Sequence, residues 1–277
     1  DNVALVPSAS YGLATAAANL DVGRGRKIVV LAEDFPSVAL AAMDLARRTG
    51  ARLHTVERGA EGWTAPLLEA IDADTALVFT PHTHWSDGGL VDLAAVGSAC
   101  RAQGAALVLD LTQSLGALPI DLQAVDPDFM VAASYKWLFG PYGTALLYVA
   151  PRRHQGRPLE QGWAARAGAH DFRRLIPYQE AWTAGARRFD MGERANFALL
   201  PALEQALLWL GALRPGAIAD SLGETTRRLA DRLASHGIAP PPGARAPHFL
   251  SVAREGGWSD DMAQRLAAAR VHVSLRG

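Results

Sequence analysis

Apolar residues in the first half of the chain gather in short continuous runs, separated by stretches where they recur every three or four positions. Residues 27–32, 75–80 and 105–111 are runs of strand length with few polar breaks, the pattern of strands covered on both faces. Between and around them, 37–49, 65–71 and 90–103 carry helical spacing, and 52–56 reads as a further strand. Ser37 is a candidate N-cap for the first of these helices. Upstream, a short apolar run at 3–7 leads through Ser8-Ala9-Ser10-Tyr11-Gly12 into an alanine-rich helical segment ending near residue 20. Strand–helix alternation with short connections predicts an α/β fold, a mainly parallel sheet flanked by helices on both faces. In such sheets ligands bind outside the carboxyl ends of the strands.

The alternation continues through an apolar run at 128–133 and another at 144–149, and then lapses. Residues 152–188 are irregular and rich in arginine, glycine and tryptophan, as in an excursion at an active site or interface. A long apolar-periodic helix at 199–213 ends at Arg214-Pro215-Gly216, an amphipathic helix follows at 221–236, and 240–243 is a proline-rich loop. Residues 249–253 and 271–275 read as strands. The expected division is a large α/β domain, 1–198, and a small C-terminal α+β domain, 199–277. The last run stops within what reads as a strand, so the small domain is expected to be incomplete.

Composition narrows the function classes. The 277 residues carry a formal net charge of −1, which gives no electrostatic reason to expect nucleic acid or an anionic membrane as partner. No apolar run reaches membrane-spanning length, and the first residues lack the charged start of a signal peptide. A single cysteine, Cys100, excludes an intrachain disulfide framework and suits a reducing compartment, so the expected location is the cytoplasm.

The distribution of positive charge singles out one position. Of the 27 basic residues only Lys27 and Lys136 are lysines. Lys136 lies in Ser134-Tyr135-Lys136-Trp137-Leu138-Phe139-Gly140-Pro141-Tyr142-Gly143, after an apolar run of strand length and among aromatic residues. Loss of hydration there disfavours the ammonium and lowers its pKa, which turns a lysine into a Schiff-base nucleophile. Arginine stays protonated and cannot take that role. A lysine snorkelling from a half-buried loop fits the segment equally well. Asp110 closes the apolar strand Ala105-Ala106-Leu107-Val108-Leu109-Asp110, where a carboxylate is costly unless it meets a cation or hydrogen-bond donors. It precedes Lys136 by one crossover, so both can stand at the same edge of the sheet.

The stretch around Lys136 resembles the cofactor-lysine signature of class V aminotransferases, fold-type I pyridoxal-phosphate (PLP) enzymes related to cysteine desulfurases, kynureninase and isopenicillin N epimerase. Many desulfurases have histidine where this chain has Tyr135, and the Tyr-Lys-Trp-Leu-Phe-Gly-Pro-Tyr-Gly form is closer to aminotransferase and epimerase-like members. The resemblance implies the PLP-dependent transferase fold, with Lys136 forming the Schiff base and then moving a proton between the substrate Cα and the cofactor. Asp110 would keep the ring nitrogen protonated, and Gln113 of Asp110-Leu111-Thr112-Gln113 would stand near the phenolic oxygen. Ala9 and Ser10 match the phosphate-binding loop, at a helix start that favours anions. Phe35 matches the ring stacked on the pyridine, although it fits a core position equally well. Within His82–Gly89, His84 and Asp87 match a segment that contacts substrate or cofactor, with Asp87 standing where relatives have asparagine.

Two histidines and an aspartate there lack a third ligand at familiar metal spacing. Phe189–Asn196 resembles a segment that reaches the phosphate of a neighbouring subunit, which implies a homodimer with shared active sites. Glu193 replaces a threonine in that segment, so Arg194 or Asn196 would take the contact. Arg187 and Arg188 are candidates for a substrate carboxylate, though arginine is so common here that a role without function suits them better. Desulfurases need a nucleophilic cysteine in the small domain, whereas Cys100 lies in a large-domain helix. The expected activity is an aminotransferase acting on an amino acid or its derivative, with a PLP lyase or epimerase as alternative.

Overall fold

The apolar runs become neighbouring strands of one sheet because each is buried on two faces and only a hydrogen-bonded neighbour satisfies its backbone. In the computed structural model, which describes residues 1–176, 178–254 and 256–275, seven strands form this sheet: β1 (Val3–Val6), β2 (Lys27–Leu31), β3 (Arg52–Val56), β4 (Thr75–Pro81), β5 (Ala106–Asp110), β6 (Phe129–Ala133) and β7 (Ala145–Val149). Their order is β1-β7-β6-β5-β4-β2-β3. β3, β2, β4, β5 and β6 are mutually parallel, and β7 runs antiparallel to both β6 and β1. The register sets Asp110 beside Pro81 on one side and Val131 on the other, aligning the carboxyl ends of β4, β5 and β6.

Among the described residues eight α-helices accompany the strands: α1 (Ala9–Ala18), α2 (Pro36–Thr49), α3 (Thr64–Ala70), α4 (Leu93–Gln103), α5 (Leu122–Val125), α6 (Leu199–Leu213), α7 (Pro215–Ala234) and α8 (Met262–Ala268). Alternation within β2 shows how the sheet is covered. Ile28 and Val30 join a core with Leu13 and Ala16 of α1 and Val38 and Leu45 of α2. Val29 and Leu31 join the opposite core, with Leu67 of α3 and Val96 and Cys100 of α4. Gly12 lets α1 lie close against β6, since a Cβ there would stand 2.6 Å from Val131 Cγ2. The N-terminus of α1 therefore sits at the carboxyl edge of the sheet, straight after β1.

Several boundaries differ from the sequence expectation. α2 starts one residue earlier, with Pro36 in its first turn; Phe35 is the N-cap without a side-chain bond, and Ser37 is inside the helix. A proline's fixed φ suits that position. α4 starts at Leu93, where Asp92 accepts the Ala95 N–H. α7 starts at Pro215 rather than 221: Arg214, at φ 63°, is the whole break between α6 and α7. The strands expected after residue 199 are also displaced. β8 (Ile238–Ala239) pairs with β9 (Ala253–Arg254), and among the described residues nothing pairs with 271–275. A strand exists only beside a partner, and apolar content alone does not supply one. Arg276 and Gly277 lie outside the described residues. Among the described residues no helix is long and apolar enough to cross a membrane.

Candidate active site

A cavity of about 260 Å³ opens at the carboxyl edge of the sheet. The turn after β6 brings Lys136 to it. Ser134, fully buried, donates from Oγ to the Pro141 carbonyl at 2.7 Å and lies 2.5 Å from Thr144 Oγ1. The Gly140 N–H returns to the Ser134 carbonyl at 2.8 Å. A Cβ on Gly140 would stand 2.8 Å from Ser134 Cβ, so the turn closes only around glycine. Phe139, at φ 54°, completes it. Lys136 Nζ sits 5.5 Å from the centre of the Phe35 ring and 5.9 Å from that of Tyr135, in cation–π range of both.

Phe35 is placed by a strained turn after β2. Glu33 takes φ 52°, an uncommon value for a residue with a Cβ. Trp85 braces the turn twice, donating from Nε1 to the Glu33 carbonyl at 2.6 Å and meeting Phe35 edge-on at 5.6 Å. Asp34 lies between them. Its Oδ1 accepts the Phe35 N–H at 2.6 Å, while Oδ2 is buried and has no hydrogen-bond partner among the described residues. Burial pushes the Asp34 carboxyl up to about 7, against the lowering effects of the Phe35 N–H and of His84.

Asp110 enters the same cavity from the end of β5. Its Oδ1 accepts the Thr112 N–H at 2.9 Å, and Thr112 Oγ1 in turn accepts the Ala133 N–H at 3.1 Å. Burial raises the Asp110 carboxyl, opposed by hydrogen bonds from Thr112 and by the charge of Lys136. At the far side, Ser8 caps α1 by accepting the Tyr11 N–H, and Ser10 Oγ lies 2.9 Å from Ser8 Oγ. Ala9 and Ser10, the first helical residues, have backbone N–H groups without helical partners, and both line the cavity.

Seven of the residues singled out from sequence thus meet in one cavity: Ala9, Ser10, Phe35, Asp110, Gln113, Tyr135 and Lys136. Three do not line it. His84 is fully buried behind the Glu33 turn, with Nε2 3.1 Å from the Ala32 carbonyl, Nδ1 3.0 Å from Ser86 Oγ, and its ring stacked on Trp63. Asp87 accepts from Arg58 Nε, Trp63 Nε1 and the Gly89 N–H. Burial would raise its carboxyl, but His84, Gly89 and Trp63 together lower it to about 2. These two residues hold the base of the turn that presents Asp34 and Phe35. Asn196 lies just before α6, its Oδ1 accepting the N–H groups of Ala198 and Leu199.

Arg187 and Arg194 both engage Asp190, whose Oδ1 accepts the Leu5 N–H, and Arg188 is buried against Gln155 and Gly156. Lys27 is explained by an ion pair of 2.7 Å with Asp72 at the opposite edge of the sheet. Cys100 is buried in α4 with its thiol pushed up to about 12, chiefly by burial. No group of described residues has the makings of a metal site.

Asp34, Thr112, Trp85, Tyr142 and His248 were not singled out. Tyr142 stacks on Tyr135 at 4.0 Å. His248 comes from the C-terminal region, lies with Nε2 2.6 Å from the Gln113 carbonyl and meets Trp137 edge-on. The acidic pair Glu33-Asp34 at the end of a continuous apolar strand was a usable signal. The long-range partners of His248 had none.

Together these groups suit a flat cationic ring bearing a phosphate: a carboxylate at one edge, an aromatic ring alongside, an amine, and unpaired N–H groups at a helix start. The orphaned buried Oδ2 of Asp34 points to an occupant with polar groups as well. The model of the class V aminotransferase family matches residues 1–277. An uncharacterised aminotransferase of Bacillus subtilis, YcbU, is 29% identical over 73% of this chain and 52% of its own length. A kynureninase of Deinococcus radiodurans is 32% identical over 76% of this chain and 50% of its own. The chain therefore spans about half the length of the curated relatives it matches.

A cysteine desulfurase from Thermococcus onnurineus superposes with a TM-score of 0.82 at 20% identity, over 97% of this chain and 67% of the other. A C-DES mutant with glycine covalently linked to its PLP superposes with a TM-score of 0.80 at 20% identity, over 99% and 73%. At such identity these two show a shared fold. The chain belongs to the class V aminotransferase family, whose enzymes are PLP-dependent and of fold type I.

Proposed function

We propose that this chain carries the PLP-binding site of an aminotransferase acting on an amino acid or amino-acid derivative. The observation that carries the reading is the meeting of Lys136, Asp110 and the Phe35 ring in one cavity. PLP, when bound, supplies an electron sink for charge developing at the substrate Cα. Asp110 would keep a proton on the ring nitrogen by its negative charge, and Phe35 would orient the ring. Ala9 and Ser10 offer the backbone N–H groups and hydroxyl that hold the phosphate. Lys136 would be the residue that holds the cofactor covalently, and its amine would carry a proton to and from the substrate Cα. Tyr135, Tyr142 and Trp85 add aromatic wall to the same cavity.

A PLP lyase acting on an amino-acid derivative is the alternative, favoured by the match to a kynureninase. Cys100 gives no support to a desulfurase, because it is a buried thiol held protonated inside α4. We also propose a homodimer, with the domain division at 198/199 and a cytoplasmic location. Trp163, Phe172, Ile176, Tyr178 and Phe197 are exposed on the segment after β7 and before α6, apolar surface of the kind a second copy covers.

The test of function is the visible spectrum of purified protein supplied with PLP, before and after borohydride, with Lys136→Ala alongside. A yellow band trapped in wild type and absent from the variant is the expected result; a wild type that stays colourless overturns it. Amino donors offered with a 2-oxo acid then separate the two reactions. Appearance of a new amino acid supports transamination, and loss of a side-chain fragment without it supports the lyase.

A further inference from the structure

The roles above leave one buried titratable group of the cavity without a task. Asp34 stands at the carboxyl end of β2, held by the Glu33 turn, with Oδ1 tied to the Phe35 N–H. Its Oδ2 is buried in a residue that lines the cavity, without a partner among the described residues. β4 separates β2 from β5, so Asp34, in the turn after β2, and Asp110, at the end of β5, come from strands two places apart. Their side chains converge on the cavity from either side of Pro81, the last residue of β4.

The charges around the two carboxyls are unequal. Lys136 acts on Asp110 and favours its anion. Asp34 faces the like charge of Asp110 from β5, His84 from the loop after β4, and its neighbour Glu33 in the turn; Lys136 and Tyr135 approach from the turn after β6. Burial outweighs the stabilisation that Phe35 and His84 give its anion, and Asp110 adds to burial. Burial raises both carboxyls, and two carboxyls on one cavity are not both ionised; the Lys136 charge, which acts on Asp110, favours the anion there.

We propose that Asp34 is a second carboxyl for the cofactor's polar edge, carrying the proton while Asp110 carries the charge, with Oδ2 as an O–H donor to the bound ring. The cavity then meets one ring cation with one carboxylate. Above its titration Asp34 becomes a second anion in a cavity that must also admit a phosphate, and the cofactor is held less tightly. This rests on the cofactor of the family and not on which reaction follows.

Pyridoxine 5′-phosphate, which has a hydroxymethyl group in place of the aldehyde, tests this without covalent attachment to Lys136. Its affinity is read from quenching of tryptophan fluorescence for wild type and Asp34→Asn, from about pH 5 to about pH 9, a range spanning the Asp34 titration. Asparagine keeps a donor that cannot ionise, and titrations of the probe itself cancel in the ratio of the two dissociation constants. The expected ratio of wild type to variant is near one at the acid end and rises roughly tenfold or more at the alkaline end. A ratio constant across the range overturns the proposal and leaves the cofactor assignment standing. Failure of both proteins to bind overturns both.

Infrared difference spectra of wild type guard against a variant that does not fold. Near neutral pH the empty protein is expected to show the carbonyl stretch of a protonated carboxyl, kept in Asp110→Asn and shifted when the probe binds. An absent or unshifted band overturns the proposal.

Discussion

Two buried carboxyls in one cavity can differ in role because their neighbours differ, and this is where single substitutions are most informative. Asp110→Asn removes the anion opposite the ring cation but keeps the Thr112 contact. Loss of a hydrogen bond to a charged group is worth ~1.5–3 kcal/mol, so PLP affinity is expected to fall ~10–100-fold by spectroscopic titration. Asp34 shapes stability in the opposite sense to most carboxylates. Its folded value, about 7, lies above the ordinary 3.8. The folded state therefore binds more protons than the unfolded state between those values, and stability falls as pH rises through that window, then levels.

In urea unfolding of the cofactor-free protein, Asp34→Asn is expected to gain on wild type from about pH 4 to pH 7, by up to ~4 kcal/mol. Equal pH dependence of the two proteins would contradict the burial account. Lys27 provides the control for Lys136. Because it pairs with Asp72 at the far edge of the sheet, Lys27→Met is expected to keep the borohydride-trapped band that Lys136→Ala loses.

At the scale of elements, the site depends on how closely α1 approaches the sheet. Gly12→Ala forces a methyl to 2.6 Å from Val131 Cγ2. Overpacking of this kind costs ~1–3 kcal/mol. It also displaces the helix start that carries Ala9 and Ser10, so weaker retention of inorganic phosphate is expected along with a lower unfolding midpoint. A variant of unchanged stability would mean that α1 can slide outward freely. The turn from Ser134 to Thr144 is fixed by its own hydrogen bonds, and the Glu33 turn by Trp85 and by His84 beneath it. Both turns trade regular backbone geometry for the placement of one side chain, Lys136 in the first and Phe35 in the second.

At the scale of the molecule, α6 ties the C-terminal region to the large sheet. Leu210 is buried in the core shared with α3 and α4, and Leu203 reaches the lysine turn at Gly140. Leu210→Ala is expected to cost ~2–5 kcal/mol in urea unfolding, as for other buried leucines. If the exposed aromatic surface between β7 and α6 is an interface, sedimentation equilibrium should give twice the chain mass of 29.4 kDa. Charged substitutions at Phe172 and Ile176 should shift it toward the monomer, whereas a wild type at the monomer mass would remove the dimer.

The parallel sheet was legible because continuous apolar runs and turn-bounded helices are local patterns, each set by the need to bury one run on two faces. Lys136 and Asp110 were legible too: polar groups at the ends of apolar strands stand out against their surroundings, and strand direction sends both to one edge. Only the tertiary structure decided the rest. Whether His84 and Asp87 face the cavity or stand behind it depends on one turn at Glu33, which no periodicity encodes. Asp34 took its character from burial and from Asp110, 76 positions further along the chain. The strand expected at 271–275 did not form for the same reason: pairing is a relation between distant segments, and apolar content in one of them cannot supply the other.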